Sequence, residues 1–292
     1  MLIAVLSVLG LLTLYFAVVF IKDYVSASKE NRLEKPSFAA TGAVGFATNF
    51  FDTLGIGSFA PTTALLKQFK LTKDRTIPGT LNVSCTIPVV LEAFIFITVI
   101  EVDTLTLVTM LAAATIGAII GAGFVAKLDV KKIQLAMGVA LLIVALIMIL
   151  QQLEIFPSGG DAIGLTGGKL IFAVMANFVL GALMTLGIGL YAPCMALVFA
   201  LGLSPAIAFP IMMGSCAFLM PAASVKFVKA GAYDRKASMA ITVGGVIGVL
   251  IAAYIVKSLP LDVLKWLVVV VIFYTSVMMF KSYKAPVVEA KA

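Results

Sequence analysis

Apolar residues fall in long blocks along this chain, without the strict alternation of a half-buried strand or the one-sided spacing of a surface helix. Blocks near 3–21, 83–100, 104–126, 133–150, 238–256 and 266–280 approach the roughly 20 residues a helix needs to cross a bilayer, and several hold no charge. The pattern predicts an all-α polytopic membrane protein with a single transmembrane domain over 1–292. Two further apolar stretches, 38–66 and 170–200, are interrupted by glycine and proline. The first reads "TLGIGSFAP" at 53–61 and the second "TLGIGLYAP" at 185–193.

Sliding the chain by 132 residues superposes these motifs and more. Eleven of 26 positions between 53–78 and 185–210 are identical, among them Gly55 with Gly187, Gly57 with Gly189, Pro61 with Pro193 and Pro78 with Pro210. After a gap of five, "TIGAIIGAGF" at 115–124 matches "TVGGVIGVLI" at 242–251. The chain therefore reads as a duplication, with repeat one over about 1–130 and repeat two over about 133–281.

Charge decides how the copies are oriented. If every apolar stretch crossed the membrane, nine spans would divide the Lys and Arg residues 12 to 9 between the two faces. If 38–66 and 170–200 each enter and leave on one face, about seven spans remain. Segments 22–35, 67–75, 127–132, 226–236 and 281–291 then share a face with 18 Lys and Arg, against 3 on the other. The positive-inside rule favours the second arrangement. It predicts two re-entrant broken helices in inverted repeats, a cell-membrane location, an N-terminus outside and a C-terminus in the cytoplasm. Tilted or kinked full spans are the alternative. The apolar N-terminus lacks a basic leader and carries its first charge at Lys22, so it reads as a retained first span.

The remaining composition narrows the chemistry. The chain is 62% hydrophobic and 12% charged, and its net charge of +7 lies in short segments between apolar blocks, which suits membrane orientation and speaks against nucleic acid. It has no histidine, and Cys85, Cys194 and Cys216 all sit in apolar segments, so no metal site or cofactor is expected. No nucleotide-binding glycine-lysine loop occurs, which leaves an ion gradient or a separate subunit as the energy source.

Non-helical backbone in a membrane must be buried in protein or line a watery cavity. Gly55 and Gly57 permit such backbone, and Pro61, lacking an N–H, suits the first turn of a helix that resumes. Freed amides at the positive end of that helix form an anion site. The competing reading is that the glycines only allow close helix packing and the prolines only kink. Polar residues near the breaks are the other candidates: Asn49, Thr53, Thr62 and Thr63 beside the first, Asn177 and Thr185 before the second, then Asn82, Ser84, Thr86, Ser215 and Cys216 beyond Pro78 and Pro210. Asp52 and Glu92 could carry a proton; alternatively Asp52 caps the resuming helix and Glu92 makes a polar contact between helices. Lys226 is expected to snorkel to the interface rather than meet substrate.

With its pair of Gly-x-Gly…Pro breaks, and with "SPAIAFPIMMGSCAF", "KAGAYDRKAS" and "GGVIGVLIA" in the second half, the chain resembles the TauE/SafE sulfite exporter family, also called the 4-toluene sulfonate uptake permeases. The likeness spans roughly 40–130 and 175–256. It implies carriage of sulfite, sulfoacetate or other organosulfonates through a site between inverted halves, at Gly55, Gly57, Pro61, Gly187, Gly189 and Pro193.

The expectation is a secondary transporter of a small sulfur-containing oxyanion, working by alternating access and not as an enzyme. The alternatives are a passive anion channel, a carrier of another small anionic metabolite, or a structural subunit. Expected partners are the anion and the bilayer, with a homodimer left open and no nucleic acid.

Overall fold

Lipid offers no water to satisfy backbone groups, so apolar chain buried in it closes its hydrogen bonds within helices. The computed structural model describes residues 2–55, 57–97, 101–155, 160–187, 189–255 and 261–284. Among the described residues eleven α-helices follow one another: α1 Leu2–Lys29, α2 Phe38–Thr53, α3 Phe59–Gln68, α4 Ile77–Ile97, α5 Thr104–Val125, α6 Val130–Gln152, α7 Gly167–Met184, α8 Tyr191–Ala200, α9 Pro205–Ala230, α10 Arg235–Ile255 and α11 Leu261–Lys284. A short 3₁₀ turn, Asp74–Thr76, leads into α4. No strand occurs among the described residues, and seven of the helices are long and apolar enough to span a bilayer.

Contacts between connectors sort the helix ends onto two faces. On one, Arg235 pairs with Asp23 at 2.8 Å and Glu34 at 3.2 Å, Thr72 donates to Asp234, and Gln134 donates to Asp74, which also pairs with Lys67. Lys131 donates to the carbonyls of Ser282 and Tyr283 at the end of α11. These bonds join the described parts of the five basic segments into one basic face. On the opposite face the Asp103 amide bonds Ile163, the Gly160 amide bonds Leu203 and the Ser204 amide bonds Ala162.

The helix directions follow. The chain enters α2 and leaves α3 at the basic face, and it enters α7 and leaves α8 at the opposite face. Both broken segments are re-entrant, and they are inserted from opposite sides. One detail differs from expectation: α7, with 18 residues, has spanning length by itself, yet the chain still turns back after it.

The matched small-residue helices explain how the re-entrant pairs are held. A Cβ added to Gly244 or Gly248 of α10 would lie 2.0 Å from the Gly42 carbonyl or 2.3 Å from that of Phe46, both on α2. One added to Gly117 of α5 would lie 2.0 Å from the Phe178 carbonyl of α7, and one on Gly181 of α7 would lie 2.1 Å from Ala114 of α5. Without a hydrophobic drive between helices, such backbone contact supplies the packing. Each repeat's small-residue helix thus grips the other repeat's broken helix, so neither half is complete alone. α4 and α9, whose spanning windows are 83% buried, form the centre, while the window of α1 is only 17% buried.

Candidate functional site

The two half-helices α3 and α8 have 10 residues each, about 15 Å or half a bilayer. They start where the two breaks meet and run out to opposite ends of the helix set. Gly55 and Gly57, at φ +87° and +90°, let the chain reverse after α2, and Gly187 at +94° does the same after α7. Gly189 is different: it is not in the left-handed region, and its open side faces Phe59, whose Cβ lies 3.9 Å from the position of an added Cβ.

Here the breaks cross. A cavity of about 20 Å³ is lined by Asp52, Gly57, Ser58 and Phe59 of the first break, Met184, Gly189, Leu190 and Tyr191 of the second, Val89 of α4 and Cys216 of α9. A second cavity of the same volume lies on the other side of Phe59 and Tyr191, against Val144 and Met148 of α6 and Ile272 of α11. The Asp52 and Ser58 side chains edge the first cavity, whereas the second has no charged side chain in its lining.

The N-cap residues Ser58 and Leu190 make no side-chain cap, and the helical ladders begin only at the Thr62 and Cys194 amides. Pro61 and Pro193 occupy the third helical positions and have no N–H. The amides of Phe59, Ala60, Tyr191 and Ala192 thus lie outside both ladders, at the positive ends of two helix dipoles.

Two carboxylates adjoin this point. Asp52, 2% exposed, accepts from Ser58 Oγ at 2.7 Å. It therefore does not cap α3 itself; it holds the cap residue. Glu92, fully buried, lies 2.9 Å from Thr53 Oγ1 at the end of α2 through Oε1, and through Oε2 accepts from Tyr191 at the start of α8 at 3.0 Å. One carboxyl group of α4 so bridges both breaks. Among the described residues, neither Asp52 nor Glu92 has a Lys or Arg ion pair.

Of the residues singled out in the sequence, Asp52, Gly57, Gly189 and Cys216 reach the first cavity, with Thr53 and Glu92 one bond behind it. Thr62 is held by Thr48 at 2.9 Å and Thr63 by the Phe59 carbonyl. The others are turned elsewhere. Asn49 bonds the Gly45 carbonyl and packs on Gly245 of α10, and Asn82 bonds the Pro78 carbonyl. Ser84 lies 3.4 Å from the Leu81 carbonyl, Thr185 bonds Ala182, Ser215 accepts from Asn177, and Thr86 pairs with Ser224. Gly55 faces the Phe209 ring and Gly187 the side chains of Met137 and Leu81. Lys226 donates to the Ile119 carbonyl of α5 at 2.7 Å, beside Gly123.

Sequence reasoning missed Ser58 and Tyr191. A signal existed in the 132-residue register, where Tyr191 takes the place of Phe59 and adds one hydroxyl at an otherwise repeated position.

Two broken helix pairs that enter from opposite faces and meet inside a set of membrane-length helices define a polytopic membrane protein. The profile of the sulfite exporter TauE/SafE family matches residues 2–148 and 170–291. The chain belongs to that family, which makes it a membrane exporter or transporter of sulfite or a related sulfur anion. The match extends well beyond the two glycine motifs that first suggested it. Comparison with curated proteins and with solved structures finds no match.

Proposed function

We propose that the chain is a secondary transporter of a small sulfur-containing oxyanion, sulfite or an organosulfonate such as sulfoacetate, that works by alternating access. The anion binds between the first turns of α3 and α8. The observation that carries this reading is the convergence of two uncapped half-helix N-termini at Gly57 and Gly189. Each supplies amides and a favourable dipole, so an anion is held without a buried cation. The second cavity, behind Phe59 and Tyr191 and without a charged side chain in its lining, suits the organic end of a sulfonate.

At about 20 Å³ the first cavity has room for about one water. A sulfonate needs more, so we read this conformation as an occluded state, and binding requires the inverted pairs to part. The basic face is the cytoplasmic face of the cell membrane, which puts the N-terminus outside. Asp52 and Glu92, as carboxylates beside an anion in a dry site, repel it, so protonation and anion binding favour each other.

Counterflow in proteoliposomes tests this. The protein should exchange internal unlabelled for external labelled sulfite or sulfoacetate. The Gly57→Leu, Gly189→Leu double variant should lose at least tenfold in ligand affinity. Equal binding by both forms sinks the break-centred site, and conductance without exchange would replace the carrier with a channel.

A further inference from the structure

Thr53 Oγ1 lies 2.9 Å from the Asn49 carbonyl and 2.9 Å from Glu92 Oε1. A hydroxyl carries one hydrogen, and a backbone carbonyl can only accept. One hydrogen cannot serve both acceptors at once: with it on the Asn49 carbonyl, the usual back-bond of a helical threonine, the hydrogen between Thr53 and Glu92 is supplied by Glu92. On the other oxygen, Tyr191 donates to Oε2 at 3.0 Å. Each hydrogen is used once along the line: Tyr191 O–H to Oε2, Oε1–H to Thr53, Thr53 O–H to the Asn49 carbonyl.

From this bond count we infer that Glu92 holds a proton in the occluded state, and that Glu92, rather than Asp52, is the group whose proton travels with the anion. The inference rests on the transport reading above and deepens it.

The surroundings agree. The titratable groups facing Glu92 are Asp52 from α2, Tyr191 from α8, Cys216 from α9 and Cys85 from its own helix, with Cys194 of α8 behind Cys216. None is a cation. An ionised Glu92 would be a buried, unpaired charge next to a second carboxylate. Asp52 is placed otherwise: Ser58 donates its hydrogen to Oδ2 from the N-cap of α3, where a helix favours negative charge.

Because its two oxygens hold the end of α2 and the start of α8, the Glu92 carboxyl pins the crossing shut. When the cavity opens and water enters, the Oε1–H proton passes to that water and leaves a carboxylate. The new charge draws the Thr53 hydrogen from the Asn49 carbonyl and repels an anion at the crossing. One proton is thus released on the side where the anion leaves.

The test uses the full-length chain in detergent and sulfoacetate as probe, because between pH 6 and 9 both acid groups of that ligand stay ionised and contribute no pH slope. Wild-type affinity should fall up to tenfold per pH unit above the titration of Glu92. In Glu92→Gln the profile should be flat, and in Asp52→Asn the wild-type slope should persist. Infrared difference spectra should show a protonated carboxyl stretch near neutral pH that is absent from Glu92→Gln and shifted in Tyr191→Phe, which removes the donor to Oε2.

A slope that survives in Glu92→Gln, or a band that disappears in Asp52→Asn instead, overturns the assignment. If the Gln variant does not fold, an unshifted band in Tyr191→Phe does the same. If wild type binds neither sulfoacetate nor sulfite at any pH, the transport reading loses its substrate, while the infrared band still decides where the proton sits.

Discussion

The two helix breaks share a backbone and differ in chemistry. In register, Asp52 of the first faces Met184 of the second, and Ser58 faces Leu190. The first break has two left-handed glycines and a carboxylate held by its N-cap serine; the second has one left-handed glycine, apolar neighbours and a tyrosine that reaches across to Glu92. The duplication supplies symmetry of architecture, two half-helices pointing at one spot. The polar chemistry lies almost entirely on one side of it. An alternating carrier can use that division, because the two halves need only close alike, whereas a proton needs one defined seat.

The largest effect on this comparison comes from removing the one hydroxyl of the second break that reaches Glu92. Tyr191→Phe restores the aromatic residue of the first copy but strips the donor from Glu92 Oε2, a fully buried oxygen. Loss of about 1–3 kcal/mol is expected, read as a lower thermal midpoint in detergent. A neutral result would mean that shape alone holds the crossing together.

Next come the glycines. Gly57→Ala meets no atom within 4 Å but must adopt φ +90°, which costs a residue with a Cβ about 1–2 kcal/mol. Gly189→Ala, at an ordinary φ with its nearest neighbour at 3.9 Å, should cost roughly 0.5 kcal/mol or less, within the range of a neutral substitution. Equal losses from the two variants would show that the breaks are conformationally equivalent after all.

The smallest effect concerns the helices that grip the breaks. α5 and α10 are each capped by an aspartate, Asp103 through the Thr106 amide and Asp234 through the Ala237 amide. The half-buried Asp103 is held below its ordinary value by its bonds to the Thr106 amide and hydroxyl. Asp234 is pushed up to about 6 by burial, with the Glu34 charge adding to the rise against the pull of the Ala237 amide. The signs therefore oppose. A lowered carboxyl stabilises above its unfolded value and loses that contribution as pH falls, so Asp103→Asn should lower the midpoint at pH 7 and converge with wild type in acid. A raised carboxyl favours the fold below its unfolded value and loses that contribution as pH rises through about 6. Asp234→Asn, which keeps the acceptor, should raise the midpoint slightly at pH 7, with the gap closing below about pH 4. Thermal scans from about pH 2 to about pH 8 check both.

Much of this architecture could be read from the chain. Hydropathy located the spans, the 132-residue offset exposed the duplication, and the Lys and Arg tally chose re-entrant segments over nine crossings. The function of "TIGAIIGAGF" and "TVGGVIGVLI" was not legible. Their glycines look like a repeated packing motif, and nothing local says that each packs against the opposite repeat. The polar site was legible only in part. Asn49 and Thr185 are polar and lie beside the breaks as Asp52 does, and Asn82 follows in the next helix, yet all three bond their own helices, because only a particular rotation of a helix aims a side chain inward.

What the sequence by itself determined is the set of constraints that act locally: span lengths fixed by bilayer thickness, breaks fixed by glycine and proline, and sidedness fixed by charge. What only the tertiary structure decided is which distant groups meet. Glu92 and Tyr191 are 99 positions apart, and their bond depends on the rotation and crossing of α4 and α8. Those are set by close backbone contacts spread over the whole helix set, so no short stretch of the chain encodes them.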